Sequence, residues 1–142
     1  MKEKIFRAGL IPYIIEDGNI QMLFMKPSDS KFGGNQYQVA KGKREEGETN
    51  KEAAIREGGE ELGFTNLNAA GQVISLGNFL GRTFVFIVKV KSKNLFTETD
   101  FETGSTKWMT EADFLKDGRD LHNHIIKSAI RLINKQDKTL KD

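Results

Sequence analysis

Gly42-Lys-Arg-Glu-Glu-Gly-Glu-Thr-Asn-Lys-Glu-Ala-Ala-Ile-Arg-Glu-Gly-Gly-Glu-Glu-Leu-Gly-Phe64 is the stretch from which the rest of the chain can be read. Its second half has the marks of a helix. Thr49 followed by Glu52 makes a capping box, in which hydroxyl and carboxylate satisfy early backbone donors reciprocally. Gly63 stands where a left-handed cap would end the run, with hydrophobic Phe64 behind it. At about 100° per residue, Glu57, Glu60 and Glu61 fall within one arc of about 100°. Like charges at this spacing repel by a few tenths of a kcal/mol per pair, and Arg56 alone cannot balance them. Hard divalent cations with oxygen ligands can, and Mg²⁺ typically keeps waters and binds substrate phosphates as well. Ile55 and Leu62 are placed opposite the carboxylates, so the expectation is one buried side and one ion-binding side. Gly58 and Gly59 cost about 2 kcal/mol relative to alanines in a helix, which predicts that a neighbouring strand approaches the helix closely there.

Length and composition set the frame. A chain of 142 residues is one domain by default, able to bury about two-thirds of its unfolded surface. Hydrophobic content of 37% with ten Phe provides a core, and 30% charged residues provide a solvated surface. No apolar run approaches the ~20 residues of a membrane span, and Met1-Lys-Glu-Lys leads into no signal-peptide core. The absence of cysteine excludes disulfides, Cys-ligated zinc and thiol catalysis, and the expected setting is cytoplasmic. A net charge of +2 is close to balance. The basic residues Lys127, Arg131, Lys135, Lys138 and Lys141 collect at the C-terminus, where a solvated helix end suits the macrodipole. No aromatics interleave with them as a polyanion-binding surface would need.

Outside the motif, Arg7 to Ile15 and Ile20 to Lys26 read as strands joined by an Asp17-Gly18 hairpin turn. Pro27 to Gln36 reads as a loop, Tyr37 to Val39 as a short strand, and Ala40 to Gly47 as the motif loop. Ala70 to Leu76 and Arg82 to Val90 read as strands joined around Gly77 and Gly81, the second apolar enough to be central. Lys91 to Thr103 is a polar loop, Ser105 to Met109 a returning strand, and Thr110 to Phe114 a helical turn. Leu121, Ile125, Ile126, Ala129, Ile130 and Ile133 form the buried stripe of a last helix. His122 and His124 are expected on its surface. Strands interrupted by one helix and closed by another indicate a mixed sheet between helices.

The motif resembles that of the Nudix hydrolases. The family pattern is Gly, five residues, Glu, seven residues, Arg-Glu, an aliphatic, any residue, Glu-Glu, any residue, Gly, and an aliphatic or aromatic. The chain matches at Gly42, Glu48, Arg56, Glu57, Glu60, Glu61, Gly63 and Phe64, with Gly58 replacing the aliphatic. The resemblance implies an α/β fold, the Nudix α/β/α sandwich with a mixed β-sheet, and hydrolysis of a phosphoanhydride by water. Metal ions would neutralise the substrate and activate the nucleophile. Glu57 and Glu61, one turn apart, are the first choice as Mg²⁺ ligands, with Mn²⁺ as the other candidate ion. Glu60 would serve a second ion or hold a water on the first. The family adds the Gly42 carbonyl as a ligand, and Glu48 and Arg56 as a supporting pair in which Arg56 orients the carboxylates.

Relatives often recruit a further acid from a loop. Glu98, Asp100, Glu102 and Glu111 are the candidates, and Glu102, six residues before Trp108, has the spacing seen in several of them. It would bind metal or act as general base, or else be a surface carboxylate. Lys41-Gly42 resembles the Pro-Lys-Gly of dinucleoside polyphosphate and diphosphoinositol phosphate hydrolases, with Ala40 in place of proline. Lys41 is therefore a candidate phosphate ligand, with Arg7 and Arg82 as others. Tyr37, Phe79, Phe84 and Trp108 are candidates for base stacking or for the core. The expected substrate is a nucleoside diphosphate linked to another group, with dinucleoside polyphosphates first, then ADP-ribose or a nucleotide sugar, then a nucleoside triphosphate. A Nudix-like module that binds nucleotides or RNA ends without hydrolysis is the alternative of another class. Nothing points to a membrane partner, and the sequence is equally compatible with a monomer or a homodimer.

Overall fold

The computed structural model describes residues 5–32 and 34–136. Met1 to Lys4, Gly33 and the tail lysines Lys138 and Lys141 lie outside the described residues. The element order is β1 (Arg7–Glu16), β2 (Asn19–Pro27), β3 (Ala40–Lys43), α1 (Asn50–Leu62), β4 (Ile74–Phe79), β5 (Thr83–Lys89), β6 (Thr103–Met109), α2 (Glu111–Asp117) and α3 (Asn123–Gln136). A 3-10 turn at Asp120–His122 precedes the last helix. β1 and β2 turn at Asp17 and Gly18, both at positive φ (52° and 80°), the backbone that a two-residue hairpin of this twist requires.

The sheet runs β4-β5-β1-β2-β6, with β5 parallel to β1 and the remaining pairs antiparallel. β1 is the hub. Along one edge it follows β5 from Arg7 to Tyr13, and the other edge is divided. Arg7 to Leu10 pair with β3, whereas Tyr13 to Glu16 pair with β2. β3 thus enters as a short wedge at the N-terminal end of β1.

Alternation along the strands sorts the core into two layers. Ala8, Leu10, Phe86 and Val88 face α1, with Ala53, Ala54 and Phe64. Ile11, Tyr13, Val85 and Ile87 face the opposite way, onto Phe114, Ile125, Ile126, Ala129 and Ile133 of α2 and α3. The result is the expected mixed sheet between helices. No helix among the described residues is long and apolar enough to cross a membrane.

Several sequence expectations shift. The strand expected at Tyr37–Val39 forms three residues later, at Ala40–Lys43, inside the expected loop; Tyr37 and Gln38 make only isolated bridges. β4 begins at Ile74 rather than Ala70, and Gly77 sits at a bulge within it, since the turn is made by Leu80 and Gly81. β5 is interior but not central, a place taken by β1. The turn after Thr110 continues as a helix to Asp117, with Thr110 and Asp113 forming a second capping box. Leu121 lies in the 3-10 turn and is exposed, because the tighter turn breaks the helical phase before α3 starts. Lys127, Arg131 and Lys135 are exposed as expected.

The glycine pair in α1 divides into two cases. A Cβ on Gly58 would lie 2.5 Å from Leu10 Cδ2, whereas one on Gly59 would meet nothing closer than the Phe64 carbonyl at 3.4 Å. Only Gly58 is explained by contact with β1. Replacing it with alanine is therefore expected to destabilise the fold by about 1–3 kcal/mol through overpacking. Gly59→Ala is expected to stabilise it by about 0.5–1 kcal/mol through helix propensity. Urea unfolding of the two variants measures both.

Candidate active site

Contrary to expectation, the carboxylates of α1 do not lie on a side apart from the buried one. The buried residues of α1 are Ala53, Ala54, Glu57, Gly58, Glu61 and Leu62, so Glu57 and Glu61 lie in the middle of the packed side. Ile55 sits at the edge, only partly buried. The cause is β3, which lies along this side of the helix. The Lys41 backbone N–H donates to Glu61 Oε1 at 3.2 Å. A Cβ on residue 42 would collide with the Glu57 carboxylate, so glycine is what lets strand and carboxylate meet. Thr49 caps the helix through the expected box with Glu52, and Gly63 closes it at φ 79°.

Arg56 connects everything around these acids. Its Nε donates to Glu48 Oε2 at 2.7 Å and its Nη2 to Glu48 Oε1 at 3.1 Å, a two-bond fork. Nη2 also donates to the Lys43 carbonyl at 2.9 Å. Nη1 turns the other way, to Glu57 Oε2 at 2.9 Å and to the half-exposed Glu60 at 3.3 Å. The Arg56 fork holds the Glu48 carboxyl below its usual range, helped by the Glu45 N–H. The same bonds push the guanidinium pKa up.

Burial acts in the opposite sense on the inner pair. Desolvation raises the Glu57 carboxyl against the pull of Arg56, and Glu60 adds to the rise. Desolvation first and the Glu57 charge second push Glu61 up to about 8, with Asp100 adding to it. Two carboxyls that resist ionising side by side suit a divalent cation, which supplies the missing charge and takes the place of the proton. Among the described residues no three acidic or histidine side chains close into a complete cage. Glu57 and Glu61 are the carboxylates that could hold such a cation, with Gly42 against Glu57 and the half-exposed Glu60 beside them.

This edge forms one wall of a cleft of about 1470 Å³. Its acidic lining includes Glu57, Glu60, Glu61, Asp100 and Glu102, and its basic lining includes Arg7, Lys31, Lys41, Arg82 and Arg119. Asp100 and Glu102 are brought in by the loop before β6, which is tied to the end of α1. Asp100 N–H donates to the Glu60 carbonyl at 2.7 Å, and Thr103 Oγ1 to that of Glu61 at 2.9 Å. The Glu102 N–H donates to Asp100 Oδ1 at 3.0 Å. Glu98 and Glu111 are not among the lining residues. A smaller hollow of about 410 Å³, around Tyr13, Ile74, Ile87 and Gln136, lies away from these groups.

The aromatic candidates are placed elsewhere. Tyr37 shares a hydrogen bond with Ser105 Oγ at 2.9 Å, and the lysines Lys26 and Lys107 approach its ring. Phe84 packs on Phe6, Phe79 against the α3-side core, and Trp108 edge-on to Phe96. None of Tyr37, Phe79, Phe84 and Trp108 lines the cleft, whose exposed apolar side chains are Ile5, Leu80 and Leu121.

Arg119 and His122 are lining residues that escaped the sequence reading. Arg119 sits in Lys116-Asp-Gly-Arg-Asp120, a stretch with no signal beyond a solvated turn. Its N–H donates to the Tyr37 carbonyl at 2.8 Å and its Nη1 to Gln38 Oε1 at 3.2 Å. His122, expected on the surface, is fully buried, and Nδ1 accepts the Val39 N–H at 3.1 Å. Burial, with Lys41 and Arg119 nearby, lowers its pKa to about 3. The 3-10 turn that exposes Leu121 is what rotates His122 inward. His124 is exposed as expected.

Comparison with known proteins bears on this geometry. The sequence model of the NUDIX domain matches residues 7–129. No curated protein matches the sequence. Among solved structures, an Ap4A hydrolase from C. elegans in a binary complex superposes with a TM-score of 0.74 at 19% identity, covering 93% of this chain and 99% of that one. A MutT/nudix family protein from Listeria innocua gives 0.74 at 18% identity, covering 96% and 98%. The NUDIX domain of Shewanella oneidensis NrtR, complexed with ADP ribose, gives 0.68 at 16% identity, covering 94% and 90%. At such identities the likeness is one of fold.

The Glu61 carboxyl sets a pH dependence. Its folded pKa of about 8 lies above the ordinary 4.5, so the stability it contributes is full below pH 4.5 and is lost as pH rises through 8. His122 has the opposite sign, losing stability as pH falls from 6.5 towards 3, and is neutral in both states above about 6.5. In EDTA, the Tm is thus expected to fall between pH 6.5 and 8.5, and Glu61→Gln to flatten that fall. A wild-type Tm that stays level over this range would show that Glu61 ionises freely.

Proposed function

Because the chain belongs to the Nudix hydrolase family, we propose that it cleaves a phosphoanhydride bond in a nucleoside diphosphate linked to a further group, using Mg²⁺ or Mn²⁺. The observation that carries this reading is the buried Glu57–Glu61 pair, with Glu57 held by Arg56 and Glu61 by the Lys41 N–H, facing a cleft that carries more basic than acidic side chains. A divalent ion bound there would neutralise phosphate charge and make water a better nucleophile. The chain's own residues do the rest. Glu57, Glu61 and the Gly42 carbonyl hold the ion, and Glu60 is available to a second one. Arg56 fixes the angle of Glu57, and Glu48 fixes Arg56. Glu102, with Asp100 beside it, is the acid on hand to accept a proton from the attacking water, which only a residue within reach of it can do. Lys41 and Arg82, joined by Arg7, receive the phosphates of the substrate.

Within this class we favour a dinucleoside polyphosphate. Several lining cations that form no ion pair among the described residues suit a long anionic chain better than a diphosphate alone, and the Ap4A hydrolase shares the fold. ADP-ribose or a nucleotide sugar is the second choice, in view of the ADP ribose bound to the Shewanella domain. A module that only binds nucleotides or RNA ends would have no use for Glu57, Glu60 and Glu61 together. The chain acts, in this reading, as a single cytoplasmic Nudix domain.

Purified protein with Mg²⁺, offered dinucleoside polyphosphates, ADP-ribose, nucleotide sugars and nucleoside triphosphates, is expected to release a mononucleotide from at least one of them. Chromatography of the products identifies the bond cut. Glu61→Gln is expected to lower kcat by at least about 100-fold, the upper end of what losing an outer-shell partner costs, without loss of the folded circular dichroism spectrum. Full activity of that variant would remove Glu61 from the metal site.

A further inference from the structure

The bond between Val39 and His122 determines which imidazole nitrogen carries the proton. Nδ1 accepts the Val39 N–H, so in the neutral ring the hydrogen is on Nε2. That Nε2–H is buried and has no acceptor among the described residues. Buried donors nearly always have a partner, so one left over on the lining of a cleft points to an acceptor that comes from outside.

The surroundings define its charge. Lys41 and Arg119 both bear electrostatically on the imidazole, and Arg119 and Arg7 on Lys41. None of these three cations has an ion pair among the described residues. Among the described residues Arg119 gives one side-chain hydrogen bond, to the neutral Gln38, and keeps its other donors. A neutral N–H between unpaired cations matches the oxygen of an anion and repels another cation. Neighbours on a strand face opposite ways, and Gly42 faces Glu57. Lys41 therefore starts from the other face of β3, although the Glu61 and Glu57 charges act on it as well as those of Arg119 and Arg7.

We propose that His122 Nε2–H, Lys41 and Arg119 form a metal-independent seat for a phosphoryl group beyond the two joined by the scissile bond, which makes the chain selective for substrates with three or more consecutive phosphates. The selectivity claim rests on the hydrolase reading above; the seat itself does not.

Inorganic tripolyphosphate in EDTA tests the seat on the full chain. In ¹⁵N-histidine-labelled protein, the His122 Nε2–H signal is expected to shift as tripolyphosphate is added, with His124 unaffected. Arg119→Gln and His122→Asn are expected to weaken binding about tenfold each, the scale of a hydrogen bond to a charged group. Asparagine at 122 can still accept the Val39 N–H, and the wild-type signal needs no variant to fold. An Nε2–H signal indifferent to tripolyphosphate would overturn the seat, and would leave a buried water bridging to the equally unpartnered Asn123 Oδ1 as the acceptor. With Mg²⁺, Arg119→Gln should lower kcat/KM about tenfold for a dinucleoside tetraphosphate and less than twofold for ADP-ribose. Equal loss on both would overturn the selectivity. Tripolyphosphate binding at His122 without hydrolysis of any substrate would sink the hydrolase reading and leave the seat standing.

Discussion

The Arg56 guanidinium is the interaction on which the site depends. One edge grips Glu48 in the loop with two bonds, and the other reaches Glu57 and Glu60 on the helix. Without it, two carboxylates packed against a strand would be uncompensated buried charges, which are strongly destabilising. With it, Glu57 keeps a charged partner, while at Glu61 burial and the repulsion of its neighbour outweigh the single Lys41 N–H. The clamp makes the carboxylate edge tolerable without neutralising it, which is the condition a site needs if it is to bind a cation.

The sheet supplies the second condition. β1 divides one edge between β3 and β2, so β3 is a short wedge whose faces meet different surroundings. Gly42 meets Glu57 on one face, and Lys41, its neighbour on the strand, carries a charge that acts on His122 and feels Arg7 and Arg119 as well as Glu57 and Glu61. Negative and positive walls therefore flank a strand of four residues. A substrate with a metal-bound anhydride and further phosphates can engage both walls, which is why the substrate reading favours a chain of phosphates over a single diphosphate.

Local features were the legible ones. The capping box of Thr49 and Glu52, the left-handed cap at Gly63 and the Asp17-Gly18 turn each depend on residues within a few positions, and each appears in the structure. The buried side of α1 was misread because hydrophobic patterning assigns glutamates to solvent. Only the third dimension shows β3 and Gly42 covering them. Of the basic wall, Lys41, Arg7 and Arg82 were named from the sequence, whereas Arg119 was not, since the four come from separate segments and its own carries no motif. His122 was misplaced by one physical detail, a 3-10 turn that interrupts the helical phase just before α3. The aromatic candidates were chosen by residue type, and sheet register directs Phe84 to Phe6 and Trp108 to Phe96 instead.

The central claim is that the edge formed by Gly42, Glu57 and Glu61 is where a divalent ion binds. Titrating ¹⁵N-labelled protein with substoichiometric Mn²⁺ and following paramagnetic broadening of the amide signals tests it directly. The account predicts that the amides of Lys41, Gly42, Glu57 and Glu61 broaden first. Broadening centred on the outer acids Glu45 and Glu46, with the Gly42 and Glu61 signals still sharp, would contradict it.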